Sequence, residues 1–148
     1  MVSYTEAQTL NFKFEDAGGF IWQTTTLLKQ LEEKYNYKYE DISILLIETP
    51  SLKDLKYLQQ KSSLDSLDHG ESESLQLLIV ISCWTEEFKH GYHTSIETAK
   101  NLSQNNKSFR IQILDVYGNI IKSHKNPIST NMLRKIIKRR NLIKDKKN

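Results

Sequence analysis

The sequence predicts an α/β fold, a single three-layer domain with a mixed sheet, and three observations support that class. The chain has 148 residues, the length of one compact domain that buries roughly two-thirds of its unfolded surface. Residues 42–48 and 75–82 are almost entirely apolar, as is typical of strands that helices cover on both faces. Segments with the apolar spacing of helices alternate with these strands, which favours a sheet between two helix layers.

Composition excludes several classes of protein. With 38% hydrophobic and 26% charged residues, the chain is neither wholly disordered nor a coiled coil. Its longest apolar run, residues 77–81, is far shorter than the roughly 20 residues of a membrane span. We expect no signal peptide, because the first residues lack a basic start and an apolar core, and the single Cys cannot form an internal disulfide. We therefore expect an intracellular protein, in the cytoplasm or the nucleus.

The first two elements lie on either side of a glycine pair at 18–19. Apolar and polar residues alternate over 10–14, which predicts a half-buried strand. Residues 20–26 are rich in β-branched and aromatic side chains, so they could pair back on that strand as a hairpin. Apolar residues with helical spacing continue to position 35, however, and we predict a helix over residues 20–36.

The strand over 42–48 is followed by two alternative helix starts. Thr49 before Pro50 matches an N-cap with proline at the first helical position, whereas Ser51 with Asp54 forms a competing capping box.

A polar segment interrupts the middle of the chain. Residues 62–74 contain five Ser, four acids and neither Lys nor Arg. Such a segment cannot bury enough apolar surface to offset its ordering entropy, although Leu64 and Leu67 could dock one helical turn. We predict a mobile acidic loop inserted within the domain.

The second half of the chain continues the alternation of helices and strands. Thr94 with Glu97 forms a capping box for a helix, and alternating apolar residues over 109–113 predict a strand. A turn at 117–119 leads into a return strand, and a terminal amphipathic helix follows, capped by Ser129 or Thr130. The predicted order is β-α-β-α-β-α-β-β-α. We assign residues 1–131 to the α/β domain and residues 132–148 to a basic C-terminal helix and tail.

This order of elements resembles the thioredoxin fold, most closely over residues 75–143, where strand, helix, strand, tight turn, strand and final helix follow one another. The resemblance implies a redox site of two Cys in a C-x-x-C motif, placed at a helix start where the dipole lowers the thiol pKa. The equivalent residues, 49–52, read Thr-Pro-Ser-Leu. Members of the fold also place a cis-Pro before the hairpin strand, whereas residues 106–108 contain no Pro. We therefore predict that dithiol activity is absent.

Cys83 ends the second buried strand, where α/β folds place ligand sites, and His90 and His93 follow in an H-x-x-H spacing. Glu86 and Glu87 lie near both His residues and offer an acid/base pair. Three metal ligands without a fourth form a weak zinc pattern, and an intervening glycine weakens a helix there. We expect Cys83 to be a small core residue and both His residues to lie in a solvated loop, with no metal, cofactor or catalytic residue.

The basic C-terminal segment is the strongest functional signal. Residues 132–148 hold eight basic side chains and one acidic one, a net charge of +7, whereas residues 1–131 carry a net charge of −4. Such clustering can neutralise several phosphates at once, and each contact releases a counterion. The segment lacks the aromatic anchors of membrane-surface helices, so nucleic acid or an acidic protein partner is favoured over lipid. The candidate binding residues are Arg134, Lys135, Lys138, Arg139, Arg140 and Lys144.

A second candidate surface is aromatic. Tyr35, Tyr37 and Tyr39 alternate with polar residues, so an extended segment would turn the three rings to one side. Such a row suits base stacking or a protein interface, and one or two rings could instead cover the junction between helix and strand. Together with Trp84, these residues form a candidate interface.

These patterns predict a non-catalytic α/β interaction module, a subunit of a larger protein or ribonucleoprotein complex. Its body would bind protein partners, and its basic helix would contact RNA, DNA or an acidic partner. The alternative is a small enzyme or degenerate thioredoxin-like protein that uses the region of Cys83, His90 and His93.

Overall fold

The computed structural model describes residues 13–67, 74–104 and 106–147. Within these ranges the chain forms seven strands and four α-helices. In chain order they are β1 (Lys13–Glu15), β2 (Ile21–Gln23), α1 (Thr24–Tyr35), β3 (Ser43–Thr49), α2 (Leu55–Asp65), β4 (Leu77–Cys83), β5 (His93–Thr94), α3 (Ile96–Leu102), β6 (Arg110–Leu114), β7 (Ile120–His124) and α4 (Thr130–Lys147). A 3-10 turn, Tyr39–Asp41, lies between α1 and β3.

The strands form one sheet in the order β2-β1-β5-β4-β3-β6-β7. The central strands are parallel, β3 with β4 and β4 with β5, whereas the remaining pairs are antiparallel. The structure thus confirms the predicted mixed sheet and its C-terminal hairpin, which consists of β6 and β7.

Helices cover both faces of the sheet because the central strands present apolar side chains on both sides. Ile44 of β3 packs in one core with Leu28 of α1. Its neighbour Leu45 packs in the other core with Leu133 of α4. These side chains are at most 1% exposed, and the burial of each stabilises the fold by roughly 1.5–3 kcal/mol. The predicted three-layer arrangement is therefore confirmed.

Residues 16–20, which include the glycine pair, connect β1 and β2 into an antiparallel hairpin. Gly19 has a φ of +87°, a conformation that favours glycine, and its N–H donates to the carbonyl of Asp16. The Asp16 carboxylate accepts hydrogen bonds from the Trp22 indole and from the N–H of Phe20, each at 3.0 Å. The bond from Trp22, assisted by backbone N–H groups, holds the pKa of the Asp16 carboxyl below its usual value.

The prediction of a helix from residue 20 was wrong for residues 20–23, because α1 begins at Thr24. The hairpin alternative is correct there, since the β-branched and aromatic residues of β2 gain cross-strand partners in β1. The predicted first strand, 10–14, falls partly outside the described residues, and β1 is described from Lys13 onward.

Helix α2 begins at Leu55, later than either predicted start. Asp54 is its N-cap, and the carboxylate accepts hydrogen bonds from two N–H groups of the first turn at 3.1 and 3.3 Å. The predicted cap Thr49 was wrong because Thr49 still pairs in β3 and donates its hydroxyl to the carbonyl of Ser51.

Serine residues cap the two later helices. Ser95 caps α3 by accepting the N–H of Thr98 at 3.1 Å. The predicted cap Thr94 was wrong, because Thr94 lies in β5 and donates its hydroxyl to Ser82 at 3.0 Å. Ser129 caps α4, as one of the two predicted alternatives, and accepts an N–H of the first turn at 3.1 Å.

The segment predicted as an acidic loop differs at its start, because residues 62–65 complete α2. Leu64 and Leu67 pack against the core that contains Leu133, which agrees with the expectation that these two residues could dock. Residues 68–73 of the segment lie outside the described residues.

Helix α4 begins at Thr130, slightly before the predicted boundary, and packs directly on the sheet. Leu133 and Ile137 are each 1% exposed, so the apolar stripe of the terminal helix is built into the core. None of the described helices is both long and apolar enough to cross a membrane.

Candidate functional site

Strands β3 and β4 end side by side, and we call this place the carboxyl edge of the sheet. Thr49 and Cys83, the last residues of the two strands, lie opposite each other. Residues 50–54 follow β3 and residues 84–92 follow β4; we call these segments the carboxyl-edge loops. Because α/β folds place ligand sites beyond the carboxyl ends of parallel strands, this edge is the first candidate site.

Side-chain hydrogen bonds join the two carboxyl-edge loops. The Thr85 hydroxyl donates to the carbonyl of Pro50 at 2.6 Å. The Glu86 carboxylate accepts the N–H of Leu52 at 3.3 Å. The loops therefore form one surface, in which Thr85 and Glu86 contact the loop that follows β3.

The thiol of this protein lies below the carboxyl edge. The sequence has a single Cys, and Cys83 is 2% exposed, with its Sγ 3.6 Å from the hydroxyl oxygen of Thr85. Its place in the core agrees with the sequence-based expectation. Disulfide exchange needs an accessible thiolate, and the carboxyl edge presents none.

Tyr57 of α2 is a second buried ionisable group near this edge. It is 3% exposed, and burial raises its pKa to about 12, with smaller contributions from Cys83, Asp65 and Glu86. The phenol therefore stays protonated at neutral pH and does not act as a base there.

A buried ion pair lies directly before the carboxyl edge, and motif-based reasoning missed it. Glu48 of β3 is 1% exposed, and Arg110 of β6 donates to its two oxygens at 2.6 and 3.0 Å. Gln112 donates a third hydrogen bond at 3.2 Å. The bond with Glu48 raises the pKa of Arg110, so the guanidinium stays charged opposite the carboxylate. The signal available in the sequence is the one acidic residue in the apolar strand over 42–48.

The structure separates Cys83, His90 and His93, the three residues of the weak zinc pattern from which no metal site was expected. Cys83 is buried in β4, whereas His90 is exposed and its ring lies edge-on to Phe88, with 5.7 Å between centroids. His93 is 4% exposed in β5. The prediction that His93 lies in a solvated loop was wrong, because β5 is paired with both β4 and β1.

His93 instead contacts β1. Its Nε2 lies 3.1 Å from Oε2 of Glu15, and its Nδ1 lies 2.8 Å from the carbonyl oxygen of Gly91. Over the described ranges, Glu15, Glu87 and His93 are the one group of metal-ligating side chains whose donor atoms all lie within 4.8 Å of one another. Sequence spacing could not reveal this group, because Glu15 and His93 are 78 positions apart.

The basic side chains of helix α4 fall into two groups, those exposed to solvent and those that contact the rest of the domain. Lys135, Lys138 and Arg139 are exposed. Arg134 is half-buried and donates to a side chain one turn earlier at 2.6 Å. Lys144 belongs to the helix, but the structure does not describe its side chain.

Arg140 has a structural role that its place in the basic cluster did not predict. Its guanidinium donates to the carbonyl of Glu40 at 2.7 Å and to the hydroxyl of Ser43 at 2.8 Å. Burial lowers its pKa, and the nearby Asp115 and Asp41 oppose this shift. Because these groups occupy the guanidinium, Arg140 is removed from the candidate anion-binding set.

The tyrosines at the end of α1 do not form the predicted row. Tyr35 is 43% exposed, whereas Tyr37 is buried and Tyr39 is half-buried. Asn36 lies between the first two in a left-handed conformation with a φ of 57°, so the segment is not extended. The structure fits the other alternative better, because the rings of Tyr37 and Tyr39 cover the junction between helix α1 and strand β3. Trp84 is half-buried in its carboxyl-edge loop.

Comparison with known proteins supports the fold. No family model and no curated protein matches the sequence. Among solved structures, the chain is similar to the pneumococcal exposed lipoprotein thioredoxin of Streptococcus pneumoniae strain TIGR4, with a TM-score of 0.57 and 10% identity over 87% of this chain and 98% of that one. It is also similar to a thioredoxin of Wuchereria bancrofti, with a TM-score of 0.51 and 16% identity over 78% of this chain and 83% of that one. The chain therefore has a thioredoxin-like α/β fold.

Proposed function

We propose that this chain is a degenerate thioredoxin-like protein that performs no dithiol exchange and binds a polypeptide at its carboxyl edge. The observation that carries this proposal is the chemistry of residues 49–52. They contain no thiol where a thioredoxin site needs two, and hydrogen bonds from the opposite carboxyl-edge loop hold them in place. A surface without thiols can still bind a polypeptide, and we infer that this is its function.

An apolar face beside these loops supports a polypeptide partner. Leu55 and Leu58 of α2 are 77% and 44% exposed and lie one helical turn apart. Leu52, in the preceding loop, is half-buried. Apolar side chains that lie together on a surface are typical of protein interfaces, and the fold does not require these two to be exposed.

A photoreactive amino acid at position 55 tests this proposal in cells that produce the protein. We expect one polypeptide to be cross-linked at this position and the adduct to disappear with Leu58→Asp. A matched probe at position 142 is the control, because Leu142 is also exposed, at 61%, but lies on α4. Equal adducts at both positions, or none at position 55, would contradict the proposal.

The basic face of α4 supports a second candidate function, the binding of RNA, DNA or another polyanion. A groove of about 590 Å³ lies between β7 and α4, and Lys122, Lys135 and Arg139 line it. The strand thus adds a cation to the cluster on the helix. A row of exposed cations along a groove suits phosphates, since each phosphate contact releases a counterion.

A comparison of the salt slopes of two triple variants distinguishes binding at this face from general electrostatic attraction to a basic chain. We expect single-stranded RNA or duplex DNA to bind with a steep salt slope that flattens when Lys135, Lys138 and Arg139 are all changed to Gln. For duplex DNA the loss of three phosphate contacts would reduce the slope by about 3. A control triple variant changes the exposed Lys53, Lys89 and Lys107 to Gln. Equal effects of the two triple variants, or no binding at low salt, would exclude this function.

Point variants are preferable to removal of the terminal helix. Ile137 is 1% exposed, so truncation before it would uncover the core and unfold the protein.

An intracellular role as a subunit of a larger protein or ribonucleoprotein complex is the broader setting of both proposals. The intracellular setting is supported by the single buried Cys, which neither forms an internal disulfide nor requires an oxidising compartment.

A further inference from the structure

We propose that Glu15, Glu87 and His93 bind a divalent transition-metal ion at the junction of β1, β5 and a carboxyl-edge loop. The three side chains come from separate parts of the chain, and the fold brings their donor atoms within 4.8 Å of one another. Glu87 lies in a carboxyl-edge loop, but the three residues belong neither to the apolar face of α2 nor to the basic face of α4, so metal binding here does not depend on either proposed function.

The orientation of His93 is fixed by its backbone partner. The carbonyl oxygen of Gly91 can only accept a hydrogen bond, so the Nδ1 of His93, 2.8 Å away, must carry the proton. This bond turns Nε2 towards Glu15. A ligating His is typically oriented in this way, with its second nitrogen donating to a carbonyl or carboxylate.

The contact between His93 and Glu15 requires a cation. Nε2 of His93 and Oε2 of Glu15 are 3.1 Å apart, and two lone pairs do not face each other at that distance without a positive charge between them. A proton satisfies the pair as a simple ion pair. A metal ion would also satisfy it, since tetrahedral bonds of about 2.0–2.2 Å place neighbouring ligand atoms about 3.3–3.6 Å apart, close to the observed 3.1 Å.

The position of Glu87 favours a metal ion over a proton between His93 and Glu15. A proton shared between His93 and Glu15 needs no third group, yet the structure places a second carboxylate beside the pair. With a neutral imidazole, the two carboxylates carry two negative charges that one divalent ion would balance.

The donor set indicates the class of ion. One imidazole with two carboxylates suits Zn²⁺ or a neighbouring first-row ion, whereas Ca²⁺ and Mg²⁺ prefer oxygen ligands alone. Glu87 is exposed, which gives the ion a route from solvent. A cavity of about 360 Å³ adjoins Glu15, and Lys13 and Glu97 are among its lining residues. Three protein ligands would leave a coordination position open toward water.

Zn²⁺ titration of the metal-stripped full chain against a chromophoric chelator tests the site. We expect one Zn²⁺ per chain, and we expect Glu87→Gln to weaken binding by at least about tenfold. The control is His90→Ala, because His90 is exposed and belongs to the H-x-x-H spacing but not to the observed cluster. This variant should bind Zn²⁺ like the unmodified protein.

Glu87→Gln keeps the test valid because an exposed loop side chain can be changed without unfolding the domain. His93→Gln is the second variant, and far-UV circular dichroism of its metal-free form checks that it is folded. The proposal is overturned if the unmodified chain shows no saturable Zn²⁺ binding, which would leave an ion pair only. It is also overturned if His90→Ala removes the binding or Glu87→Gln leaves it unchanged.

Discussion

Both carboxylate oxygens of the buried Glu48 accept hydrogen bonds from the guanidinium of Arg110, across the pair of strands β3 and β6. Arg110→Met would leave the carboxylate buried without a counter-charge, and we expect a loss of about 3–5 kcal/mol in the free energy of unfolding. Urea denaturation measures it. The double variant with Glu48→Leu should recover most of the loss, because it removes the unpaired charge as well. A double variant as unstable as the single one would contradict this explanation.

Arg140 should be important for stability, unlike its exposed neighbours on the same helix. Arg140→Met removes charge-assisted hydrogen bonds to Glu40 and Ser43, each of which contributes about 1.5–3 kcal/mol. Lys138→Met is the matched control, because Lys138 is exposed, and we expect a change within about 0.5 kcal/mol. Thermal unfolding of the two variants compares them directly, and equal losses would argue against the structural role of Arg140.

The Asp16 hairpin should weaken in acid. Because the folded pKa of Asp16 lies below the usual 3.8, the carboxylate stabilises the hairpin above that pH. This contribution is lost as the pH falls through the lower folded pKa. An NMR titration of the Asp16 carboxyl should give a midpoint below 3.8, and the Phe20 amide should shift with it. Asp16→Asn should remove the Phe20 transition, and a midpoint at or above 3.8 would contradict the hydrogen-bonded turn.

Tyr57 should make the fold sensitive to alkali. Its folded pKa of about 12 exceeds the ordinary value of 10.0, so its protonated form favours the folded state at every pH below about 10. That contribution is lost between about pH 10 and 12, as the unfolded chain ionises first. Tyr57→Phe should reduce the loss of stability over this range, as measured by urea denaturation at several pH values. An unchanged pH dependence would show that the phenol is accessible in the folded state.

The sequence predicts those parts of the fold that depend on local patterns. Residues 42–48 and 75–82 are almost entirely apolar, which is typical of strands buried on both faces or of short buried helices, and their length favours strands. The spacing of Leu133 and Ile137 likewise predicts the buried face of α4, and both lie in the core.

The features that sequence reasoning missed depend on distant partners. Residues 20–23 have the composition of a strand, but only pairing with β1 decides against the helix. His93 is buried because Glu15, 78 positions away, lies on the next strand. Arg140 belongs to a basic run, yet its partners Glu40 and Ser43 lie about 100 positions earlier. The sequence pattern around a residue carries no information about contacts with positions this far along the chain.

The reactivity of Cys83 tests most directly the claim that this fold performs no thiol chemistry at its carboxyl edge. Cys83 is 2% exposed, so a thiol reagent should modify it no faster than the folded chain opens, and at the rate of a free thiol only in denaturant. Stopped-flow absorbance with the reagent in excess measures both rates, with Cys83→Ser as the blank. Rapid modification of the folded chain would contradict the account and would restore Cys83 as a reactive group.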